Sequence, residues 1–420
     1  MRAMKDSGIP WIGEIPEGWK VMPHKRVMRK VKEIQEHYNG ENILSLTMRG
    51  VIVRDLDAGG KMPTTFDGYQ KVYPNNLLQC LFDIDVTPRC VGLIREEGLT
   101  SPAYSQFAMY SNGYAPYYDY LLRYMDDGKT LLHLSKNLRS SLTETDFGAI
   151  DTCVPPLAEQ QRIAEFLDRK CAEVDEMIAL QEQIIEELKA YKQSVITEAV
   201  TKGLNPTAPM RDSGIEWIGS IPEHWEVKRI KYIGTAENGL TYTPADVCDA
   251  SDGILVLRSS NIQNGKLAFN DNVYVRSVPE SLKVKVGDII ICSRNGSASL
   301  VGKSALVETD IDASFGAFMM RFRSNHSYKY IYFLLTATIS HYKQLFTTTT
   351  INQLTIGLLN NIAMPFVENK EEQQAIADYL DKKCGEIDKL IAIKQSKIDS
   401  LKEYKKSIIY EYVTGKKEIA

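Results

Sequence analysis

The stretch DSGIPWIGEIPEGW at residues 6–19 returns as DSGIEWIGSIPEHW at 212–225, identical at 11 of 14 positions with an offset of 206. All four tryptophans, Trp11, Trp19, Trp217 and Trp225, sit in these two copies. A second pair follows: EQQRIAEFLDRKCAEVDEMIAL from 159 and EQQAIADYLDKKCGEIDKLIAI from 372, an offset of 213, with the likeness continuing through Tyr191/Tyr404, Glu198/Glu411 and Thr201/Thr414. Repeats on this scale set the organisation of a chain before any single residue does. The chain is a duplication whose order is variable, similar, variable, similar. The stretches between the similar blocks, 20–155 and 226–366, align only weakly with each other. Two readers of different signals on one scaffold fit that pattern; so do two structural domains that drifted apart after duplication.

The second repeated block reads as a long helix. From Leu157 to about Lys202, and from about Lys370 to Thr414, apolar residues recur at helical spacing with no proline inside. Leu167, Val174, Leu188 and Val195 form one line at seven-residue spacing, with Met177, Ile184 and Tyr191 beside it. The second block answers with Leu380, Ile387, Leu401 and Ile408 beside Leu390 and Tyr404. Pro155-Pro156 and Pro365 precede the starts, Asn369 with Glu372 reads as a capping box, and Gly203 followed by Pro206 ends the first helix. At ~1.5 Å per residue each helix is about 65 to 70 Å long, too long for an ordinary domain helix.

Because one helix delivers the chain to the second half and the other must return, antiparallel pairing is expected. Charge agrees: 157–205 holds six bases and ten acids, including Glu182, Glu186 and Glu187, whereas the second helix presents Lys394, Lys397, Lys402, Lys405 and Lys406. Gln181 and Lys394 interrupt the seams. The expected fold class is α/β (α+β): two globular domains separated by a long antiparallel two-helix coiled coil, related by an approximate internal two-fold. The segments are 1–155 and 206–366, each a domain with its repeat motif, and the helices 156–205 and 367–420.

Composition limits the function. The 420 residues allow two to three domains, and 44% hydrophobic with 25% charged residues is ordinary for a folded soluble protein. No apolar run approaches the ~18 residues of a membrane span, and MRAMKDSGIP lacks a signal-peptide core, so a cytoplasmic protein without a membrane partner is expected. The seven cysteines are scattered with no C-x-x-C, which points to free thiols, with no zinc ligand set. A net charge of -4 argues against bulk electrostatic coating of nucleic acid and leaves local patches.

No active site is legible. The six histidines show no H-E-x-x-H spacing. Gly296-Ser-Ala-Ser-Leu-Val-Gly302-Lys303-Ser304 has five residues between its glycines where a phosphate loop has four, and its flanks read as two strands. Neither G-x-G-x-x-G nor a nucleophile elbow occurs, so neither a catalytic residue nor a cofactor bound by this chain is expected.

The variable stretches carry side chains of the kinds used on base edges and phosphates. In the second these are Arg258, Ser260 and Asn261 after a strand-like run, then Ser293, Arg294, Asn295 and Ser297, Lys303, Thr349 of the polar run 347–350, and Asn352. Runs such as 288–292 and 318–322 read as strands. Residues 226–366 hold fourteen bases and eleven acids. The first stretch balances at sixteen each but offers Thr47, Arg49, Arg54, Lys61, Thr65, Arg89, Arg95, Ser101 and Tyr104 on loop-like segments.

Over essentially its whole length the chain resembles the specificity subunit of Type I restriction and modification systems. The marks are DSGIPWIGEIPEGW and its copy, Pro155-Pro156-Leu157-Ala158-Glu159-Gln160-Gln161 leading into a long helix, its counterpart Glu372-Gln373-Gln374, and a strand-rich variable domain before each. Val256-Leu257-Arg258 leading to Asn261-Ile262, and Ser293-Arg294-Asn295-Gly296, look like that family's target recognition domains. Pro365-Phe366-Val367 stands where the family has a double proline.

The resemblance implies that each variable domain reads one half of a bipartite double-stranded DNA target and that the helices fix the gap. It also implies two methyltransferase subunits docked on the helices, which bind S-adenosylmethionine themselves and methylate adenine N6. Where the system restricts, two restriction subunits with ATP and Mg join them. A reading from another class is a tandem-domain scaffold that binds proteins through its two end domains.

Overall fold

The computed structural model describes residues 2–58, 63–134, 140–343 and 352–419. It consists of two compact units: residues 1–182 with 395–420, and residues 183–394. Among the described residues no helix is long and apolar enough to cross a membrane.

In unit 1 the repeat motif folds as a hairpin, Met4–Asp6 with Glu14–Pro16, and delivers Trp19 into the core at 1% exposure. The Trp19 indole Nε1 donates to Glu159 Oε2 at 2.9 Å, and Arg2 holds the other carboxylate oxygen at 2.5 Å. Unit 2 repeats the device: Met210–Asp212 pairs with Ser220–Pro222, and Trp225 Nε1 donates to Glu372 Oε1 at 2.9 Å. The neighbouring glutamines tie each domain to its helix. Gln160 donates to Pro155 O at 2.9 Å and accepts from Tyr114 N–H at 2.8 Å; Gln373 donates to Val367 O at 2.7 Å and accepts from Ser327 N–H at 3.2 Å. Tyr114 and Ser327 cap the helices Ala115–Asp127 and Tyr328–Tyr342, so each glutamine binds the N-terminus of the largest helix of its domain. The capping box expected at Asn369 is half present. Asn369 Oδ1 accepts from the backbone of Glu371 and Glu372, but the Glu372 carboxylate is taken by Trp225 and by His224 at 2.9 Å.

The long helices run Leu157–Lys202 and Lys370–Val413. Both stop at a glycine in the left-handed region, Gly203 and Gly415, each at φ +72°. In unit 1 Ile163, Ala164, Leu167 and Cys171 share a core with Ile408, Ile409 and Val413, and Lys405 reaches Asp175 at 2.6 Å. In unit 2 Val195, Ile196, Ala199 and Val200 share a core with Ile376, Ala377, Leu380 and Cys384, and Lys192 reaches Asp388 at 2.7 Å. Within each unit the start of one long helix therefore meets the end of the other, the antiparallel arrangement expected.

The flank of the seam differs from expectation. Met177, Tyr191, Leu390 and Tyr404 stand 47% to 58% exposed, while Cys171, Ile185, Cys384 and Ile398 are buried. A seven-residue line can be completed three or four residues on, and both positions are apolar in places. Burial follows the residue four positions on in both helices. Gln181 and Lys394 are half-buried at the interruptions.

The weakly aligning stretches share one framework. In unit 1 a four-stranded antiparallel sheet has the order Met28–Val31, Ser105–Met109, Leu77–Gln79, Val91–Leu93; in unit 2 the order is Gly234–Asn238, Met319–Ser324, Ile289–Cys292, Ser304–Leu306. Lys20–Pro23 pairs with Asp151–Val154, and Glu226–Arg229 pairs with Ala363–Phe366, placing the last strand of each domain directly before its long helix. The strand Ile289–Cys292 is buried throughout, as an inner strand covered on both faces should be. Sequence comparison misses this likeness because a buried strand requires only apolar residues of about the right size. Antiparallel strands and helices segregated from them make the class α+β. Gly296–Ser304 is the connection between two antiparallel strands, with a 3-10 turn at Ala298–Leu300.

Candidate nucleic-acid interface

Unit 2 carries a second sheet, ordered Val247–Cys248, Tyr274–Val275, Ile254–Leu257, Ala313–Phe315. The last two strands are parallel, so the loops that follow them, starting at Arg258 and Gly316, leave from the same edge. These loops, the segment 240–244, the loop 294–296 and Asn352 enclose a cleft of about 1250 Å³. Arg258, Ser260, Arg294, Asn295 and Asn352, five of the residues singled out from sequence, meet there although up to 94 positions separate them.

Their roles differ. Arg258 Nη2 binds Asp271 Oδ1 at 2.8 Å and the Asp271 carbonyl at 3.1 Å. Arg294 is exposed, with its guanidinium 5.4 Å from the ring centroid of Phe318. Asn295 Nδ2 donates to Ser259 Oγ at 3.2 Å while its Oδ1 accepts from Ser297 N–H at 2.9 Å. Asn352 Nδ2 donates to Gly296 O at 3.2 Å, bracing the same loop. Below it, burial pushes the Cys292 thiol up, and the protonated thiol points to Arg294 O at 3.7 Å. Arg323 on Asp288, at 2.5 and 2.6 Å, and Arg321 on Glu237 fasten the sheet that carries this loop.

Two expectations in this domain are corrected. Asn261 is fully buried: its Oδ1 accepts from Arg258 N–H at 2.9 Å and its Nδ2 donates to Ala268 O at 3.0 Å, so the side chain folds its own loop. Ser293 is 4% exposed and lies beneath the loop. Ser297 is exposed beside the cleft, its hydroxyl 2.8 Å from Ser299 Oγ. Lys303 lines a separate cavity of about 300 Å³ with Gln193, Tyr332 and Lys343. Thr349 lies outside the described residues.

In unit 1 the singled-out residues occupy separate loops. Thr47 and the exposed Arg49 form the tip of the hairpin Leu44–Thr47 with Gly50–Val53, closed by Thr47 Oγ1 donating to Gly50 O at 3.0 Å. Arg54 follows that hairpin half-buried, and Thr65 is exposed with its hydroxyl accepting from Asp67 N–H at 3.1 Å. Arg95 is exposed. Ser101 and Tyr104 are half-buried, their carbonyls accepting from Gln70 at 2.9 and 2.7 Å; the Tyr104 ring lies 6.0 Å from that of Phe82, and burial raises its phenol. Arg89 is a correction. Its side chain, 12% exposed, sits between Asp126 at 3.3 Å and Asp127 at 3.0 Å, and Asp126 is 2% exposed, so Arg89 neutralises a buried acid. Lys61 lies outside the described residues.

Sequence reading passed over Tyr242, Asp271 and Phe318, all of which line the cleft. Phe318 was expected inside a strand, but the strand begins at Met319 and leaves Phe318 61% exposed. A hydrophobic run gives no signal of where its first ring leaves the core.

Residues 222–415 match the family model for the Type I restriction modification DNA specificity domain. The specificity subunit of the type I restriction enzyme StySPI from Salmonella potsdam is 30% identical over 211 residues, 47% of this chain and 44% of that one. That of EcoKI from Escherichia coli K12 is 30% identical over 212 residues, with the same shares. The chain thus spans less than half the length of these curated relatives. A solved chain from work on complex assembly and conformational transition of the type I R-M system has the same fold, with a TM-score of 0.71 at 14% identity over 95% of this chain and 98% of that one.

Proposed function

We propose that this chain is a specificity subunit of a Type I restriction and modification system and reads a bipartite sequence in double-stranded DNA, one half with each unit. The observation that carries the reading is the cleft of unit 2, where Arg258, Ser260, Arg294, Asn295 and Asn352 converge. Arginine and asparagine present paired donors, or a donor beside an acceptor, to the major-groove edges of guanine and adenine. The strands and the side chains of Asn352 and Asn295 hold the loops, and the loops meet the bases.

In this proposal the long helices set the number of base pairs between the half-sites and dock two methyltransferase subunits. Those subunits bind S-adenosylmethionine and transfer its methyl group; ATP and Mg belong to restriction subunits where the system has them. The chain itself supplies recognition and no catalytic group, and it works in the cytoplasm.

Modularity tests the proposal. With residues 20–155 exchanged for those of another family member, the methylated motif mapped in cells should change in one half and keep the other. A change in both halves overturns the two-reader assignment. Co-purification with other proteins but no sequence preference on DNA would favour a tandem-domain scaffold.

A further inference from the structure

The two arginines of the unit 2 cleft stand in opposite situations. Arg258 is neutralised by Asp271 and held in place by it. Arg294 is exposed and pairs with no carboxylate among the described residues, but its guanidinium lies over Phe318, which is itself 61% exposed. A guanidinium laid on a ring keeps its in-plane N–H donors free at the edge and loses little freedom on binding, because the ring has already restricted it. The loop beneath is braced by Asn352 on Gly296 O and by a bridge between Arg294 and Gln353. The surroundings are poor for a phosphate. Of the charged residues lining the cleft, Arg258 and Asp271 cancel, and much of the remaining wall is apolar: Leu240, Tyr242, Val247, Phe318. A phosphate bed needs converging donors, whereas a base edge needs one planar fork and apolar contact around it.

We infer that Arg294 is the residue of unit 2 that selects a guanine through the O6 and N7 atoms of its major-groove edge, with Phe318 as the positioning residue that presents it. The inference rests on the DNA-reading function proposed above and deepens it.

The test is selection of the full chain on a pool of random-sequence duplexes, followed by binding to the enriched sequence and its single-base variants over a range of salt. Arg294→Gln and Arg294→Ala should each lose the preference for guanine at one position, roughly 10- to 100-fold, with every other position retained. Phe318→Ala should weaken the same position by a smaller factor and Phe318→Tyr should restore it. A motif left unchanged by Arg294→Ala overturns the inference, because alanine has no donor to offer the base edge. So does a uniform loss across all duplexes with the salt slope reduced by about one, the mark of a phosphate contact. A wild-type chain that enriches no motif overturns the DNA-reading function itself, and the inference with it.

Discussion

The indole of Trp19 donates to the carboxylate of Glu159 at 2.9 Å across 140 residues of sequence. The two most strongly repeated blocks are thus halves of one clamp, and the pair Trp225 and Glu372 makes the same bond in unit 2. Each clamp is closed by the end of a long helix. A Cβ on Gly415 would stand 2.5 Å from Pro16 and 2.9 Å from Trp19, and one on Gly203 would stand 3.3 Å from Trp225.

Removing the acceptor should loosen unit 1 from its helix. Glu159→Ala leaves a buried indole N–H without a partner and removes the ion pair of Arg2, at a cost of about 1 to 3 kcal/mol. Glu159→Gln keeps an acceptor and should cost less. Urea unfolding followed by tryptophan fluorescence checks the order of the two variants.

The two helix-ending glycines should respond unequally. Gly203→Ala meets a strained φ and a contact that a small shift relieves. Gly415→Ala meets the same φ and also overlaps Pro16 and Trp19, which adds about 1 to 3 kcal/mol of overpacking. Thermal unfolding of the single variants should place Gly415→Ala well below Gly203→Ala.

Arg89 and Asn261 should behave as folding residues. Arg89→Ala leaves Asp126 buried with its charge uncompensated, a loss of about 3 to 5 kcal/mol. Asn261→Ala removes the bonds that close the loop 258–272, about 1 to 3 kcal/mol. Both should lower stability before any DNA is added, and the remaining folded protein should keep its base preferences. A relaxed position in Asn261→Ala at unchanged stability would contradict its assignment.

Unit 1 should weaken in mild acid. His24 is fully buried against the Phe147 ring at 4.6 Å, and burial lowers its pKa from 6.5 to about 4, against a smaller opposing effect of its hydrogen bond to Phe147 O. The unfolded chain therefore binds a proton that the folded chain refuses between those values. Its contribution is fully present above about pH 6.5 and is lost as pH falls toward 4, by roughly 3 kcal/mol in total. Denaturant midpoints of the wild type and His24→Leu at pH 7.5 and pH 5 should differ in their pH dependence, with the flatter response in the variant.

The duplication, the two long helices, their antiparallel partnership and the strand-rich domains were legible in the chain, because each is written as spacing along one stretch or as likeness between two. A helix buries a stripe determined by its own period, and a repeat declares itself by identity. Which flank of the seam is buried was not legible: Met177 and Cys171 are both apolar, and only the packing of the second helix chose the residue four positions on. The same holds for the cleft. Arg258, Arg294 and Asn261 are similar polar residues on similar loops in sequence, but Asp271 holds the first, Phe318 carries the second, and Ala268 and Asn272 bury the third. Local chemistry decided which elements form; loops brought together from the ends of separate strands decided which side chains remain free to bind, because burial and pairing depend on neighbours that lie far away in sequence.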